Sequence, residues 1–188
     1  MPGVPSKDEA TDGATAVPSE VVAARAREIV LRQLSDGPRT AQQLRDRMTA
    51  RDIPESVADA VVARFAEVGL VDDRAFAVAW VRSRHEYKGL GTAVLRQELR
   101  RKGVADEFIV EALSEVTADA EFDRAVELAR RKAPSVRALP SQKQVQRLAG
   151  FLARKGYPSS VVFAAVRVAL GETPTLSRLE EDDETDDS

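Results

Sequence analysis

Cysteine is absent from this sequence of 188 residues, and histidine occurs once, as His85. The lack of cysteine excludes a disulfide framework, a thiolate metal site and thiol catalysis. A single histidine excludes a zinc site with two histidine ligands and confines imidazole acid–base chemistry to that one residue.

Long apolar runs are also missing. No stretch approaches the ~18 consecutive apolar residues of a membrane-spanning helix, and no basic start followed by a hydrophobic run marks a signal peptide. Aromatic residues make up only 5% of the chain, whereas hydrophobic residues as a class make up 43%. We therefore expect a soluble, cytoplasmic protein with a core of Leu, Val and Ala.

The familiar catalytic loops are not found either. Gly89-x-Gly91 lacks the third glycine of the dinucleotide-binding fingerprint, and neither a Walker phosphate loop nor a Gly-x-Ser-x-Gly elbow occurs. Asp72 and Asp73 fit helix capping better than an acid pair, because adjacent helical residues do not face each other. His85 is expected on the wetter side of its helix. The sequence thus predicts a protein that is not an enzyme and needs no cofactor.

Charge is unevenly distributed behind a net value of −3. Residues 1–19 carry a net charge of −2 and residues 171–188 carry −7, which leaves +6 for residues 20–170. We expect both ends to be disordered. The acidic C-terminal segment is either a solubilising tail or a competitor for a surface that binds polyanions. In the second case, deleting residues 173–188 would tighten binding to an anionic partner.

Helical periodicity runs through the basic middle, without convincing strand alternation. One apolar face contains Phe76, Ala77, Trp80, Val81 and Tyr87. The other faces are Val57, Val61, Phe65 and Val68, then Phe108, Ala112, Leu113 and Val116, and finally Val161, Val162, Ala165, Val166 and Ala169. Since good helix formers dominate the composition, we predict an all-α fold.

A pattern of about 50 residues occurs three times. The copies align Leu44, Leu95 and Leu148, then Met48, Leu99 and Leu152, then Arg51-Asp52-Ile53, Lys102-Gly103-Val104 and Lys155-Gly156-Tyr157. Each copy therefore contains a helix, a basic residue, a turn and a second helix, and a further helix precedes it at about 21–34, 73–87 and 121–132. Gly103 and Gly156 permit a left-handed turn, which Asp52 tolerates less well.

A unit of this size buries little surface alone, so we expect tandem three-helix repeats that stack into an elongated, curved array. The predicted divisions are a disordered tail at 1–20, repeats at 21–71, 72–116 and 117–170, and an acidic disordered tail at 171–188.

Positive charge recurs near the ends of the middle helices. The residues are Arg82, Arg84, Lys88, Arg96, Arg100, Arg101, Lys102, Arg130, Arg131, Arg154 and Lys155. Each alone is explained by the attraction of a cation to the C-terminal end of a helix. Recurrence in stacked repeats would instead align these cations on one surface facing a phosphate backbone or an acidic protein. Because Phe65, Phe76 and Trp80 are assigned to buried faces, we expect electrostatic contacts without base stacking.

A winged-helix transcription regulator is the alternative. The segment from Thr40 to Val71 resembles such a unit, with residues 56–67 as the recognition helix. A β wing would have to follow Val71, where Asp72 and Asp73 indicate a helix start instead. This weighs against the alternative without eliminating it.

The second copy resembles the bacterial RecX family. The shared motif is Asp72-Asp73-x-x-Phe76-Ala77-x-x-Trp80-Val81-x-x-Arg84, then Gly89, then Leu95-x-x-Glu98-Leu99-x-x-Lys102-Gly103-Val104. The likeness is densest over residues 70–113, and the family's tandem three-helix architecture extends it to about 21–170. The long acidic C-terminal segment is not part of the family pattern.

The resemblance implies a regulator without catalysis. RecX proteins bind the RecA–DNA filament along its groove and modulate, usually by inhibition, its ATPase, recombinase and coprotease activities, and some also bind DNA. We accordingly expect a monomer whose partners are the RecA filament and, through weak nonspecific contacts, single- or double-stranded DNA. The main contacts would come from the first seven members of the basic set, Arg82, Arg84, Lys88, Arg96, Arg100, Arg101 and Lys102. Arg130, Arg131, Arg154 and Lys155 would support them. The resemblance assigns a structural role to Asp73, Phe76, Trp80, Leu95, Leu99 and Gly103.

Overall fold

Every regular element in residues 19–171, which the computed structural model describes, is helical. The α-helices are α1 (Ser19–Ser35), α2 (Ala41–Thr49), α3 (Glu55–Glu67), α4 (Asp73–Lys88), α5 (Thr92–Arg101), α6 (Asp106–Ser114), α7 (Ala118–Lys132), α8 (Ser141–Arg154) and α9 (Ser159–Leu170). A short 3-10 helix, Ala133–Val136, follows α7. The all-α prediction is confirmed. The tails predicted at 1–20 and 171–188 lie outside the described part except for Ser19 and Glu20, which belong to α1, and Gly171, which caps α9.

The helices form three consecutive triplets, α1–α3, α4–α6 and α7–α9, and within each triplet every helix packs on the other two. Each triplet has its own core of buried apolar side chains. The first triplet belongs to one compact unit, which ends at Val71, and the other two belong to a second unit, which starts at Asp72. The predicted three-helix repeats are therefore confirmed.

The same turn is built three times. The leucine and methionine pairs that define the copies are fully buried, at Leu44 and Met48, Leu95 and Leu99, and Leu148 and Leu152. In each turn an amide reaches back five residues to a helix carbonyl, from Ile53 to Met48 at 3.2 Å, from Val104 to Leu99 at 3.2 Å and from Tyr157 to Leu152 at 3.3 Å. The residue before that amide has positive φ, 61° at Asp52, 75° at Gly103 and 90° at Gly156. These bonds satisfy carbonyls that the helix end would leave unpaired.

Side-chain oxygens cap the starts of α2 and α4, and the second of these caps was predicted. Thr40 and Gln43 form a reciprocal capping box at α2. The Asp72 carboxylate accepts a hydrogen bond from the Ala75 amide at 2.9 Å, which caps α4. Pro54 and Pro158 are the residues immediately before α3 and α9, where the missing amide hydrogen of proline costs no helical hydrogen bond.

Two residues assigned to buried faces are exposed. Val68 is 55% exposed at the end of α3, and Tyr87 is 82% exposed near the end of α4. Helical spacing gives the direction of a side chain, but burial also requires another element at that level of the helix. His85 differs in the opposite sense, because it is half-buried with Nδ1 2.9 Å from the Leu90 carbonyl oxygen.

The winged-helix alternative lacks its wing. Helix α4 begins at Asp73, where a hairpin would be needed, and residues 19–171 contain no strand. The acidic pair that indicated a helix start was therefore the correct signal.

Candidate functional site

Trp80 is the centre of a group of cations on the second triplet. The Arg84 guanidinium carbon lies 4.1 Å from the centroid of the Trp80 ring, and the Lys102 ammonium lies 4.0 Å from it. Phe76 stacks on Trp80 with centroids 5.6 Å apart and an interplanar angle of 15°. The assignment of Trp80 to a buried face holds only in part, because the side chain packs against the core of the second triplet but is half-buried, with two cations over its ring. We call Trp80, Arg84 and Lys102 the tryptophan cluster.

Local sequence explains how this cluster forms. Phe76, Trp80 and Arg84 are spaced four residues apart on α4 and so share one face. Lys102 is the C-cap of α5, immediately before the left-handed Gly103. The repeated turn therefore places the Lys102 ammonium over the Trp80 ring. The indole Nε1 donates to a Glu98 carboxylate oxygen at 2.8 Å, which fixes the ring orientation.

Three of the predicted cations are paired with carboxylates. Arg82 lies 3.5 Å from Glu86, Arg100 lies 2.8 Å from Asp106 and Arg131 lies 3.9 Å from Glu127. The hydrogen bond from Arg100 lowers the pKa of Asp106, with the nearby positive charges of Arg100 and Arg96 acting in the same direction. Exposed pairs of this kind contribute little to stability, so these arginines can exchange their carboxylate for an external anion.

A second group of cations lies where the second and third triplets meet. The Lys155 ammonium donates a hydrogen bond to the Lys88 carbonyl oxygen at 2.6 Å. Burial lowers the pKa of Lys155, and so do the positive charges of Arg131, Arg124 and Lys88. We call Lys88, Arg124, Arg131 and Lys155 the joint cluster.

Arg124 is the member of this cluster that sequence reasoning missed. It lies in the middle of α7, donates to the Glu86 carbonyl oxygen and pairs with Glu127. Its Nε is buried without a hydrogen-bond partner in the described residues. No repeat or helix-end signal marks Arg124, because its position depends on the packing of α7 against the end of α4.

Backbone contacts position the joint cluster. The Gly91 amide donates to the Lys155 carbonyl oxygen at 2.8 Å, and the Ala93 amide donates to the Gly156 carbonyl oxygen at 3.3 Å. The buried Tyr157 hydroxyl donates to the Gly89 carbonyl oxygen at 3.2 Å, and burial raises the pKa of that phenol.

A buried carboxylate adds a further contact between the second and third triplets. Glu121 on α7 accepts the Thr92 amide at 2.9 Å, so it binds the first amide of α5 in place of a side-chain cap. The joint therefore holds residues 88–93 against residues 155–157 without relying on the lysines themselves.

The structure brings together five of the eleven predicted site residues. Arg84 and Lys102 share the tryptophan cluster, while Lys88, Arg131 and Lys155 share the joint cluster. Arg96, Arg101, Arg130 and Arg154 have no ion pair within 4.0 Å among residues 19–171. Lys102 and Lys155 occupy the equivalent C-cap position in their repeats.

Two classes of feature are not found in the described range. Among residues 19–171 no three His, Asp or Glu side chains group in a way that could hold a metal ion. Within the same range no helix is both long and apolar enough to cross a membrane.

Three family models match this chain in succession. They are the first, second and third three-helix domains of RecX, at residues 26–65, 72–113 and 119–166. The chain belongs to the RecX family. The resemblance inferred from the tryptophan motif is thus confirmed, and it extends over all three triplets.

Curated relatives and a solved structure agree with this membership. Regulatory protein RecX of Streptomyces lividans is 47% identical over 148 residues, which cover 79% of each chain. Regulatory protein RecX of Thermobifida fusca is 42% identical over 158 residues, covering 84% of this chain and 85% of the relative. The crystal structure of RecX from Lactobacillus salivarius superposes with a TM-score of 0.74 at 20% identity, covering 80% of this chain and 97% of that one, and it supports the fold.

Proposed function

We propose that this RecX protein is a non-catalytic regulator that binds the RecA–DNA filament in its groove and inhibits the ATPase, recombinase and coprotease activities of RecA. Family membership supports the regulatory role, since the relatives are called regulatory proteins. The observation that supports the mode of action is the tryptophan cluster, in which Arg84 and Lys102 are held on a rigid aromatic ring.

Pre-ordered cations lose little side-chain entropy when they meet an anion, which favours binding. Arg82, Arg100 and Arg131 would contribute after exchanging their exposed carboxylates. Further charge would come from the arginines that no carboxylate of residues 19–171 pairs, which are Arg96, Arg101, Arg130 and Arg154. The proposal includes a monomeric, cytoplasmic protein whose contacts with DNA are weak and independent of sequence. Phosphate contacts of this kind weaken steeply as the salt concentration rises, because the counterions that binding releases then gain less entropy.

DNA-dependent ATP hydrolysis by RecA from the same source tests the proposal. Titration with the full chain should lower the rate to a plateau at low salt and require more protein at higher salt. An unchanged rate at both salt concentrations would contradict the proposal, and a raised rate would contradict the inhibitory part of it.

A further inference from the structure

Lys155 carries a positive charge that the described residues do not neutralise. Its ammonium makes a single hydrogen bond, to a neutral carbonyl oxygen, although an ammonium has three donor hydrogens. No carboxylate of residues 19–171 lies within 4.0 Å of it. The positive charges of Arg131, Arg124 and Lys88 repel it, and the single carboxylate of Glu127 is shared by two of these three. An anionic ligand at this joint would therefore relieve repulsion as well as add hydrogen bonds.

The same chain contains a strongly anionic segment. Residues 172–188 hold eight carboxylates against Arg178 alone, and seven of the eight fall between Glu180 and Asp187. These residues lie outside the described part of the chain. Their composition is complementary in charge to the joint cluster.

The acidic run is close enough along the chain to reach the joint. Helix α9 begins four residues after Lys155 and has 12 residues, so Gly171 lies about 18 Å from the joint at a rise of 1.5 Å per residue. Nine residues from Gly171 to Glu180 span up to about 30 Å when extended. A ligand tethered at this length has an effective concentration in roughly the millimolar range.

We infer that the joint cluster is an anion-binding site and that the acidic segment 180–187 is its intramolecular ligand. The segment competes there with any external polyanion, so the free protein carries an internal competitor for part of its basic surface. The effect on RecA rests on the proposed function, whereas the intramolecular contact does not.

Zero-length carbodiimide cross-linking of the full chain tests the contact directly, because this reagent joins a carboxylate only to an amine that touches it. The chain has six lysines, and Lys143 lies on α8, twelve residues before Lys155, which is the C-cap of that helix. This spacing places the two about 18 Å apart, which makes Lys143 a matched control. Trypsin releases the acidic residues as the peptide 179–188, whose attachment is read by mass spectrometry in the monomeric fraction.

The inference predicts about fivefold or more attachment to Lys155 and Lys88 over Lys143 at low salt, with the preference lost near 0.5 M salt because screening weakens the contact. Arg131→Glu should lower attachment to Lys155 while leaving Lys143 unchanged, and Arg137→Glu, a mutation of an exposed arginine outside the cluster, should have no effect. Equal attachment to Lys143 and Lys155, or attachment to Lys155 that is insensitive to Arg131→Glu in a variant with unchanged helicity, would overturn the inference. Because RecA is not present, failure here is distinguishable from failure of the proposed function.

Discussion

Gly91 and Gly156 meet backbone to backbone where the second and third triplets join. A Cβ on Gly91 would lie 2.5 Å from the Gly156 carbonyl oxygen, and a Cβ on Gly156 would lie 2.6 Å from the Val94 amide nitrogen. Both distances are too short for real atoms, and backbone atoms cannot move aside as a flexible side chain does. The joint therefore requires glycine at both positions.

Gly91→Ala should destabilise the protein by about 1–3 kcal/mol, as overpacking of a tight contact does. Gly150→Ala is the matched control, because an added Cβ there would meet only the end of the Arg154 side chain at 3.3 Å within α8. Removing a helical glycine should raise stability by about 0.5–1 kcal/mol. Thermal and urea unfolding measure both changes, and a Gly91→Ala variant as stable as the parent would contradict the observed joint.

Asp52 occupies a turn position that the other two repeats give to glycine, with φ at 61°. Asp52→Gly should stabilise the first unit by about 0.5 kcal/mol, because relief of left-handed strain exceeds the entropy cost of glycine. Gly69→Ala measures the strain alone, since φ is 73° and an added Cβ would meet no atom within 4 Å. That change should cost about 1–2 kcal/mol. Loss of stability in Asp52→Gly would show that the aspartate side chain stabilises the turn.

The pair of Arg100 and Asp106 predicts a dependence of stability on acidic pH. Because the hydrogen bond from Arg100 lowers the folded-state pKa of Asp106, its contribution is present above the unfolded-state pKa. The contribution is lost as pH falls through the folded-state pKa. Unfolding measured from pH 5 down to pH 2.5 should therefore show a smaller loss for Asp106→Asn than for the parent. Identical slopes for the two proteins would mean that the ion pair contributes nothing to the free energy of unfolding.

Substitution of Trp80 should lower the free energy of unfolding by the amount typical of a half-buried aromatic side chain, which is less than for a fully buried one. Trp80→Ala removes the cation contacts and the hydrogen bond to Glu98, and we expect a loss of about 1–3 kcal/mol. A fully buried ring, as the helical spacing indicated, would instead cost about 3–5 kcal/mol in the same variant. Urea unfolding followed by circular dichroism decides between these ranges, and a cost above 4 kcal/mol would restore the core assignment.

The repeat was predictable from sequence because its signals are local. Helical spacing predicts that Leu95 and Leu99 are buried, and the glycine at position 103 predicts the left-handed turn that follows. One short segment therefore specifies both the buried face of α5 and the turn at its end. The surroundings of partly or fully exposed side chains could not be predicted in the same way. Tyr87 has the spacing of a core residue, but no element of residues 19–171 buries it. The surroundings of Trp80 include a lysine that is 22 residues away in the sequence.

The joint cluster depends on contacts distant in sequence. Lys88 and Lys155 are 67 residues apart and meet only because residues 88–93 pack on residues 155–157. The recurring position of Lys102 and Lys155 was visible in the sequence, but no sequence signal marks Arg124, which could be found only in three dimensions.

The central claim is that cations around the second repeat bind the RecA filament. Its most direct test is inhibition of RecA ATPase by a variant with Arg100, Arg101 and Lys102 changed to Glu. The matched control changes three exposed arginines of α1, Arg25, Arg27 and Arg32, to Glu, with the same change in net charge. With helicity unchanged in both, we predict that the first variant no longer inhibits and that the control still does. Full inhibition by the first variant, or equal loss in both, would contradict the account.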